Sequence, residues 1–177
     1  SEVSSKRLIA LRDLLKKDSV TAFSTVPALF QPFFDKASIN TLYLEFKENQ
    51  KIDRNELISN LVENGYDPAD LVTKPSSYAL RGSVIDIFPS NSKYPVRIDL
   101  DDDLISSISI FDTDTQKTLR KINSFIVRPS RGFVLNINSI KIFKKNWRSR
   151  FKDDGEVFES VSKGKFISGI EFYSSLF

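Results

Sequence analysis

The sequence predicts an α+β fold in which an antiparallel meander sheet lies beside a well-defined helix. Two observations support this. From Tyr78 to Val127 apolar and polar residues alternate with a period of two, in runs separated by turn-forming residues. Directly before this region, residues 53–65 carry the start and stop signals of a helix. Because sequential strands joined by short turns pair antiparallel, the runs predict a meander.

The helix over residues 53–65 has both ends specified. Asp53 can accept backbone N–H bonds as the N-cap, and Glu56 can reach back to it. Gly65 is placed to end the helix in the left-handed conformation. The predicted buried stripe consists of Leu57, Ile58, Leu61 and Val62.

Four runs predict the strands of the meander: Leu80–Phe88, Val96–Leu100, Leu104–Phe111 and Leu119–Val127. Residues rich in Pro, Asn, Asp and Ser separate them. Thr41–Phe46 predicts a further strand before the capped helix. The central part of the chain is therefore predicted to be mostly sheet.

The N-terminal part begins with an amphipathic helix over Lys6–Lys17. Val20–Val26 predicts a short strand, followed by a second helix with Pro27 at its first position. Phe30, Phe33 and Phe34 are interpreted as core residues, since aromatic side chains are usually buried.

The C-terminal part is predicted to be helical first. Over residues 137–152, Ile140, Phe143, Trp147 and Phe151 recur every three or four residues, which is typical of a helix with one apolar face. The aromatic tail from Phe158 to Phe177 predicts a segment that docks on a neighbouring element.

The composition excludes several classes of chemistry. The chain has 177 residues with no His and no Cys, which excludes histidine-based triads, thiol nucleophiles, disulfides and the usual zinc sites. Its six glycines do not have the spacing of a phosphate-binding loop, so we expect no bound nucleotide or other cofactor. The chain also lacks Met, and we expect it to be an excerpt of a longer protein. No apolar run reaches the ~18 residues of a membrane span, so a soluble cytoplasmic protein is expected.

An acidic cluster offers one candidate site. Asp99 and Asp101–Asp103 could bind Mg²⁺ or Ca²⁺ through their carboxylates, as in a metal-dependent enzyme. Consecutive carboxylates in a tight connection point in different directions, however. We therefore favour a solvated turn with no metal, and we assign no catalytic residue.

The basic helix over residues 137–152 offers a second candidate. Lys144, Lys145 and Arg148 could contact nucleic acid, with Trp147 or Phe151 stacking on a base if its ring is exposed. The alternative is that the aromatic rings face the core and the cations form a solvated face. The net charge of +3 is compatible with both interpretations.

Two arginines offer a third candidate. Arg81 and Arg97 each lie within an otherwise apolar strand run, where the guanidinium group must turn to the solvent face. A planar guanidinium is well suited to bidentate pairing with a carboxylate. If the strands form a hairpin without a register shift at Gly82, both arginines lie on one sheet surface. From the residues alone, two solubilising side chains remain the alternative.

Several motifs resemble the bacterial transcription-repair coupling factors. They are Leu80–Pro89, Tyr94–Asp99, Ser107–Gln116 and the ending Val161–Phe177. The first block is also similar to UvrB. The Phe-Asp-x-x-Thr-Gln element and the Gly-Ile-Glu-Phe-Tyr ending resemble the coupling factors more closely.

The resemblance implies a domain organisation. Residues 42–127 would form an α+β domain like the second domain of UvrB, which recruits UvrA, the damage-recognition ATPase of nucleotide excision repair. Residues 1–41 and 128–177 would be pieces of a degenerate RecA-like lobe. The motor that uses ATP and Mg²⁺, and the parts that contact RNA polymerase and double-stranded DNA, would belong to the parent protein only. The alternatives are a UvrB-like paralogue and a DNA-binding fragment.

The resemblance also implies site residues. Two arginines of the family's UvrA-docking surface fall on Arg81 and Arg97. A Phe-Phe pair that follows them in the family is replaced by Leu100 and Asp101, so Asp101 stands where an apolar anchor is expected. The chain is therefore predicted to be a non-catalytic module that binds UvrA.

Overall fold

The computed structural model describes residues 2–16, 19–29, 43–130 and 134–177. Its helices are α1 (Glu2–Lys16), α2 (Val26–Leu29), α3 (Arg54–Glu63), α4 (Ile137–Arg150) and α5 (Glu156–Ser162), with a 3₁₀ helix at Ile170–Leu176. Its strands are β1 (Leu44–Lys47), β2 (Asp67–Pro68), β3 (Ser77–Arg81), β4 (Val84–Phe88), β5 (Val96–Asp101), β6 (Leu104–Phe111), β7 (Thr118–Lys121) and β8 (Ser124–Val127). The α+β class is confirmed.

The main sheet has six strands in the order β2-β3-β4-β5-β6-β7. From β3 to β7 each strand pairs antiparallel with the next one in the chain, which confirms the predicted meander. The short strand β2 pairs parallel with β3. Strands β1 and β8 form a separate antiparallel pair.

Two of the predicted strands were wrong in extent, because each is two strands. Leu80–Phe88 turns back on itself at Gly82 and Ser83, and Arg81 pairs with Val84 across that turn. Gly82 has a φ of 58°, the left-handed conformation that a tight hairpin requires and that glycine adopts readily. Leu119–Val127 divides at Ile122 and Asn123, where the chain leaves β6 and joins β1 through a hydrogen bond from Glu48 N to Asn123 O.

Helix α3 begins and ends where its caps predict. The Asp53 side chain accepts from the backbone N–H groups of Asn55 and Glu56 at 2.7 and 3.0 Å. Gly65 follows the helix with a φ of 81°. The buried stripe is narrower than predicted, since Leu57 and Leu61 are buried but Val62 is 49% exposed. Leu57 and Leu61 join the hydrophobic core with Ile58 partly buried against it, whereas Val62 is not part of that cluster.

The predicted strand at Val20–Val26 is wrong. Residues 20–25 are exposed and have no regular structure, and Val26 begins α2. Within the described residues this segment pairs with no other strand, and a lone strand leaves its backbone groups to water. The core prediction for Phe30, Phe33 and Phe34 falls outside the described residues.

The buried residues form a main cluster between α3 and one face of the six-stranded sheet. A second cluster joins α4, α5 and the 3₁₀ helix, and Phe143, Trp147 and Leu176 are buried in it. The apolar tail thus packs on α4, as the sequence predicted. Among the described helices, none combines the length and the apolar character needed to cross a bilayer.

Candidate functional site

One face of the six-stranded sheet is turned away from α3, and we call it the polar face. Its central row crosses five strands through in-register partners: Ala79, Asp86, Arg97, Ser109 and Lys121. Arg81 lies on the same face, two residues after Ala79 on β3. The opposite face carries Ile85, Ile87 and Ile98 and packs in the main core. Residue alternation along the strands therefore separates the two arginines from the core.

Asp86 lies at the centre of the polar face between the two arginines. Its side chain is fully buried, with 0% exposure. Arg97 binds it in bidentate fashion, donating from Nε to Oδ1 at 2.8 Å and from Nη2 to Oδ2 at 2.9 Å. Arg81 donates to the same Oδ2 from its Nη2. We call Arg81, Asp86 and Arg97 the arginine cluster, and it carries one net positive charge.

Arg97 is held on further sides. Its Nη1 donates to the backbone carbonyl of Gln116 at 3.3 Å, and its guanidinium carbon lies 4.5 Å from the centre of the Phe111 ring. The hydrogen bonds to Asp86 raise the pKa of Arg97 above its ordinary value. Only 19% of this side chain is exposed. Arg97 is thus a charged group fixed in one position.

The loop that supplies the Gln116 carbonyl is itself ordered by hydrogen bonds. Asp112 accepts from the backbone N–H groups of Thr115 and Asp114 at 2.9 and 3.2 Å. The Thr115 backbone bond is the main cause that holds the pKa of Asp112 below its ordinary value. Residues of the Phe-Asp-x-x-Thr-Gln element therefore build the wall behind Arg97.

Arg81 differs from Arg97 in exposure. Its side chain is 42% exposed, so the guanidinium reaches both Asp86 and solvent. The expectation that both arginines lie on one sheet surface holds, but the expectation that both project to solvent is wrong for Arg97. Asp86 draws it inward, because a buried carboxylate needs charged partners.

Sequence reasoning missed Asp86, although a signal was present. The residue stands in the middle of the apolar run Val84–Phe88, and aspartate is disfavoured in strand interiors. A carboxylate at such a position requires a cation on a neighbouring strand. Arg97 stands directly opposite it in the register.

Leu100 and Asp101 lie on different faces of β5. Leu100 is 8% exposed and belongs to the main core. Asp101 is exposed at the end of the strand, on the same side as Arg97 and Asp99. The residue that stands in for the expected apolar anchor is therefore an accessible carboxylate on the polar face.

The acidic run forms the turn between β5 and β6, as favoured. Asp99 accepts a hydrogen bond from the Ser107 hydroxyl at 2.6 Å, and Asp103 pairs with Lys51 at 3.4 Å. Among the described residues, no group of three or more acidic side chains is arranged to hold a metal ion.

The comparison with known families bears on the region that contains the polar face. A sequence model described as the UvrB interaction domain matches residues 44–133, which is half of the chain. The chain belongs to the UvrB interaction domain family. The match extends from β1 to β8 and includes α3 and the whole six-stranded sheet.

Relatives of two kinds match almost the whole chain. The transcription-repair-coupling factor of Escherichia coli is 31% identical over 99% of this chain, and that of Haemophilus influenzae is 32% identical over 99%. The UvrABC system protein B of Aromatoleum aromaticum is 26% identical over 97%. The chain spans 16% of the length of each of these two coupling factors. The resemblance stated from the motifs is confirmed.

The basic helix α4 is built differently from the polar face. Trp147 is 5% exposed, its Nε1 donates to the Asp153 carbonyl at 3.1 Å, and its ring packs against Phe143 and Phe158. A buried ring cannot stack on a base, so the nucleic-acid role considered for Trp147 is wrong. The ring is in the core because the apolar side of α4 meets α5.

The cations of α4 are separate from that buried ring. Lys145 and Arg148 are exposed, whereas Lys144 is half-buried. Arg148 lies over the Phe158 ring and 4.0 Å from Asp154, so an acidic neighbour offsets part of its charge. Nucleic-acid contact by these three residues stays a prediction.

Proposed function

We propose that this chain is the UvrA-recruiting module of a transcription-repair coupling factor and that it acts by binding rather than by catalysis. The arginine cluster carries the proposal, because it places two charged guanidinium groups on one sheet face, with the Arg81 side chain 42% exposed and the Arg97 side chain 19% exposed. The matched family region contains this face. The UvrB interaction domain family is named for interaction, which agrees with a docking role.

The chemistry of the cluster indicates what it binds. Guanidinium groups pair most strongly with carboxylates, through charge-assisted bonds that are enhanced where water is excluded. Within the arginine cluster the two guanidinium charges exceed the one carboxylate charge, so the cluster itself keeps one net positive charge. We therefore propose that a carboxylate on UvrA docks against Arg81 and the exposed edge of Arg97, with Asp101 at the margin of the interface.

The remaining activities are assigned to the parent protein. We propose that residues 42–127 form the UvrA-binding domain and that residues 1–41 and 128–177 are pieces of a RecA-like lobe. ATP-driven movement on double-stranded DNA and contact with RNA polymerase would then lie outside this chain. The module would link UvrA to stalled polymerase for excision repair.

A titration of the labelled chain with purified UvrA tests the proposal. Arg81→Ala combined with Arg97→Ala should weaken binding by about 2 kcal/mol or more, or roughly thirty-fold, since both charged anchors are lost. Arg120→Ala is the matched control. Arg120 is an exposed cation on β7, and it lies with its register partner Ile110 on the face opposite the polar face. Circular dichroism confirms that each variant is folded.

The same assay separates the alternative function. A fluorescent DNA duplex replaces UvrA, and binding is followed from low to high salt. DNA affinity that falls steeply with salt and survives the double arginine change would favour nucleic-acid contact through α4. UvrA affinity unchanged by the double substitution would show that the site assignment is wrong.

A further inference from the structure

We infer that Asp86 is a positioning residue of the UvrA-binding surface: it fixes Arg97, and through the shared carboxylate Arg81, in the orientation that receives a partner carboxylate. This inference rests on the proposed function and deepens it. Asp86 itself is fully buried and cannot touch a partner. Any effect it has on binding must act through the arginines.

The contacts of Asp86 leave its carboxylate fully engaged. Oδ1 accepts from Arg97 Nε, and Oδ2 accepts from both Arg97 Nη2 and Arg81 Nη2. A partner carboxylate therefore has no reason to displace Asp86. It meets the outward side of Arg81, whose side chain is 42% exposed.

Fold stability alone does not explain a charge at this position. Burying a carboxylate costs desolvation energy, and a packed apolar residue is often as stabilising as a buried ion pair. Two neighbours on the same face of the sheet, Ala79 and Phe88, are buried and apolar. A carboxylate here is explained by what it does to the two guanidinium groups. Without it Arg81 would adopt many rotamers in solvent, and Arg97 would keep only its contacts with the Gln116 carbonyl and the Phe111 ring.

The charge pattern of the polar face favours a protein carboxylate over a phosphate backbone. Besides the two arginines it carries the carboxylates of Asp86, Asp99 and Asp101 along with Lys121. A closely spaced line of phosphates would meet repulsion from Asp101. A single carboxylate aimed at Arg81 avoids that repulsion.

Charge and positioning make opposite predictions for Asp86→Asn. The substitution keeps the shape and adds one net positive charge to the cluster. If attraction to an acidic partner alone set the affinity, UvrA would bind more tightly. If Asp86 acts by positioning, UvrA should bind about ten-fold more weakly, the cost of ordering one or two released side chains on binding. The loss should appear as faster dissociation.

The experiment measures association and dissociation of UvrA with the wild-type chain, Asp86→Asn, Arg97→Ala and the combined variant. Because Asp86 acts through Arg97, the combined variant should bind about as weakly as Arg97→Ala alone. Asp86→Glu is the second variant, since it keeps the charge but displaces the carboxylate, and it should also weaken binding. Unfolding in urea monitors the stability of each variant.

A second readout does not involve UvrA. The Nε–H signal of Arg97 in a ¹⁵N NMR spectrum should exchange slowly with water in the wild-type chain and rapidly in Asp86→Asn. A wild-type chain that fails to bind UvrA but protects this proton would contradict the proposed function alone. Rapid exchange in the wild-type chain, or equal or tighter UvrA binding by Asp86→Asn, would overturn the inference.

Discussion

The two faces of the six-stranded sheet are made by alternate residues of the same strands, yet they differ in kind. On one face Ile85, Ile87 and Ile98 are completely buried in the core beneath α3. On the polar face the intervening residues Asp86 and Arg97 form a charged cluster. One set of residues stabilises the sheet, and the other set is the one we propose to bind UvrA.

Side chains of this sheet are buried for two different physical reasons. Ile98 and Asp86 both have 0% exposure and belong to neighbouring strands. The isoleucine is buried because apolar surface leaves water, which stabilises the fold directly. The aspartate is buried beneath Arg81 and Arg97, and its effect on the free energy of unfolding depends on its ion pairs with them.

The largest expected effect tests the core side of the comparison. Ile98→Ala should lower the free energy of unfolding by about 3 kcal/mol, through lost apolar burial and a residual cavity. Urea unfolding followed by circular dichroism measures it. Lys121→Ala, an exposed position of the polar face, should stay within about 0.5 kcal/mol of wild type. Equal losses of unfolding free energy at Ile98 and Lys121 would contradict the difference between the two faces.

The next prediction compares how much the two arginines of the cluster contribute to the free energy of unfolding. Arg97→Ala leaves Asp86 with one partially exposed partner and should cost about 1–3 kcal/mol of unfolding free energy. Arg81→Ala leaves the bidentate Arg97 pair intact and should cost less than about 1 kcal/mol. Urea unfolding of both single variants checks this order. A larger loss for Arg81→Ala would show that the two arginines have been assigned the wrong roles.

A third prediction concerns Asp101, at the position where the family resemblance implies an apolar anchor. Asp101→Phe should tighten UvrA binding by about 1–2 kcal/mol, because an exposed ring on the polar face becomes buried at the interface. Asp101→Asn is the control that removes only the charge, and it should tighten binding less. Titration with UvrA measures both variants. Weaker binding by Asp101→Phe would place Asp101 outside the interface.

The smallest expected effect, a change in UvrA affinity, distinguishes a cation on the polar face from a cation on the opposite face. Lys121 shares the row of Arg97, whereas its neighbour Arg120 pairs with Ile110 on the core side. Lys121→Ala should weaken UvrA binding by about two- to three-fold and reduce its salt dependence, as expected for a charge at the rim of an interface. Arg120→Ala changes the net charge equally and should have no effect. Association rates at two salt concentrations provide the test.

Much of this arrangement follows from local signals in the sequence. The ends of α3 were predictable because Asp53 and Gly65 act within a few residues of their own positions. The meander from β4 to β7 was predictable because its turns are chemically marked. The exposed, irregular conformation of residues 20–25 was not predictable from the sequence. Their apolar residues have strand propensity, but the described structure offers this segment no strand with which to pair.

The arginine cluster was predictable in part. Family resemblance and residue type indicated Arg81 and Arg97, but their inequality depends on the register that sets Asp86 opposite Arg97. The turn at Gly82 and Ser83 sets the register of β3 against β4, which places Ala79 opposite Asp86, and the alternating pattern concealed it. Burial of Trp147 likewise depends on α5, a separate helix that packs on α4.

The most direct test of the proposed docking of UvrA on the polar face uses the absence of Cys in the chain. Asp101→Cys on the polar face and Lys145→Cys on α4 each provide one attachment point for an environment-sensitive fluorophore. When UvrA is added, anisotropy should rise for both labels because both report the complex. The emission of the label at position 101 should shift while that at position 145 stays constant. A shift at position 145 alone, or at neither position once the complex has formed, would contradict docking through the polar face.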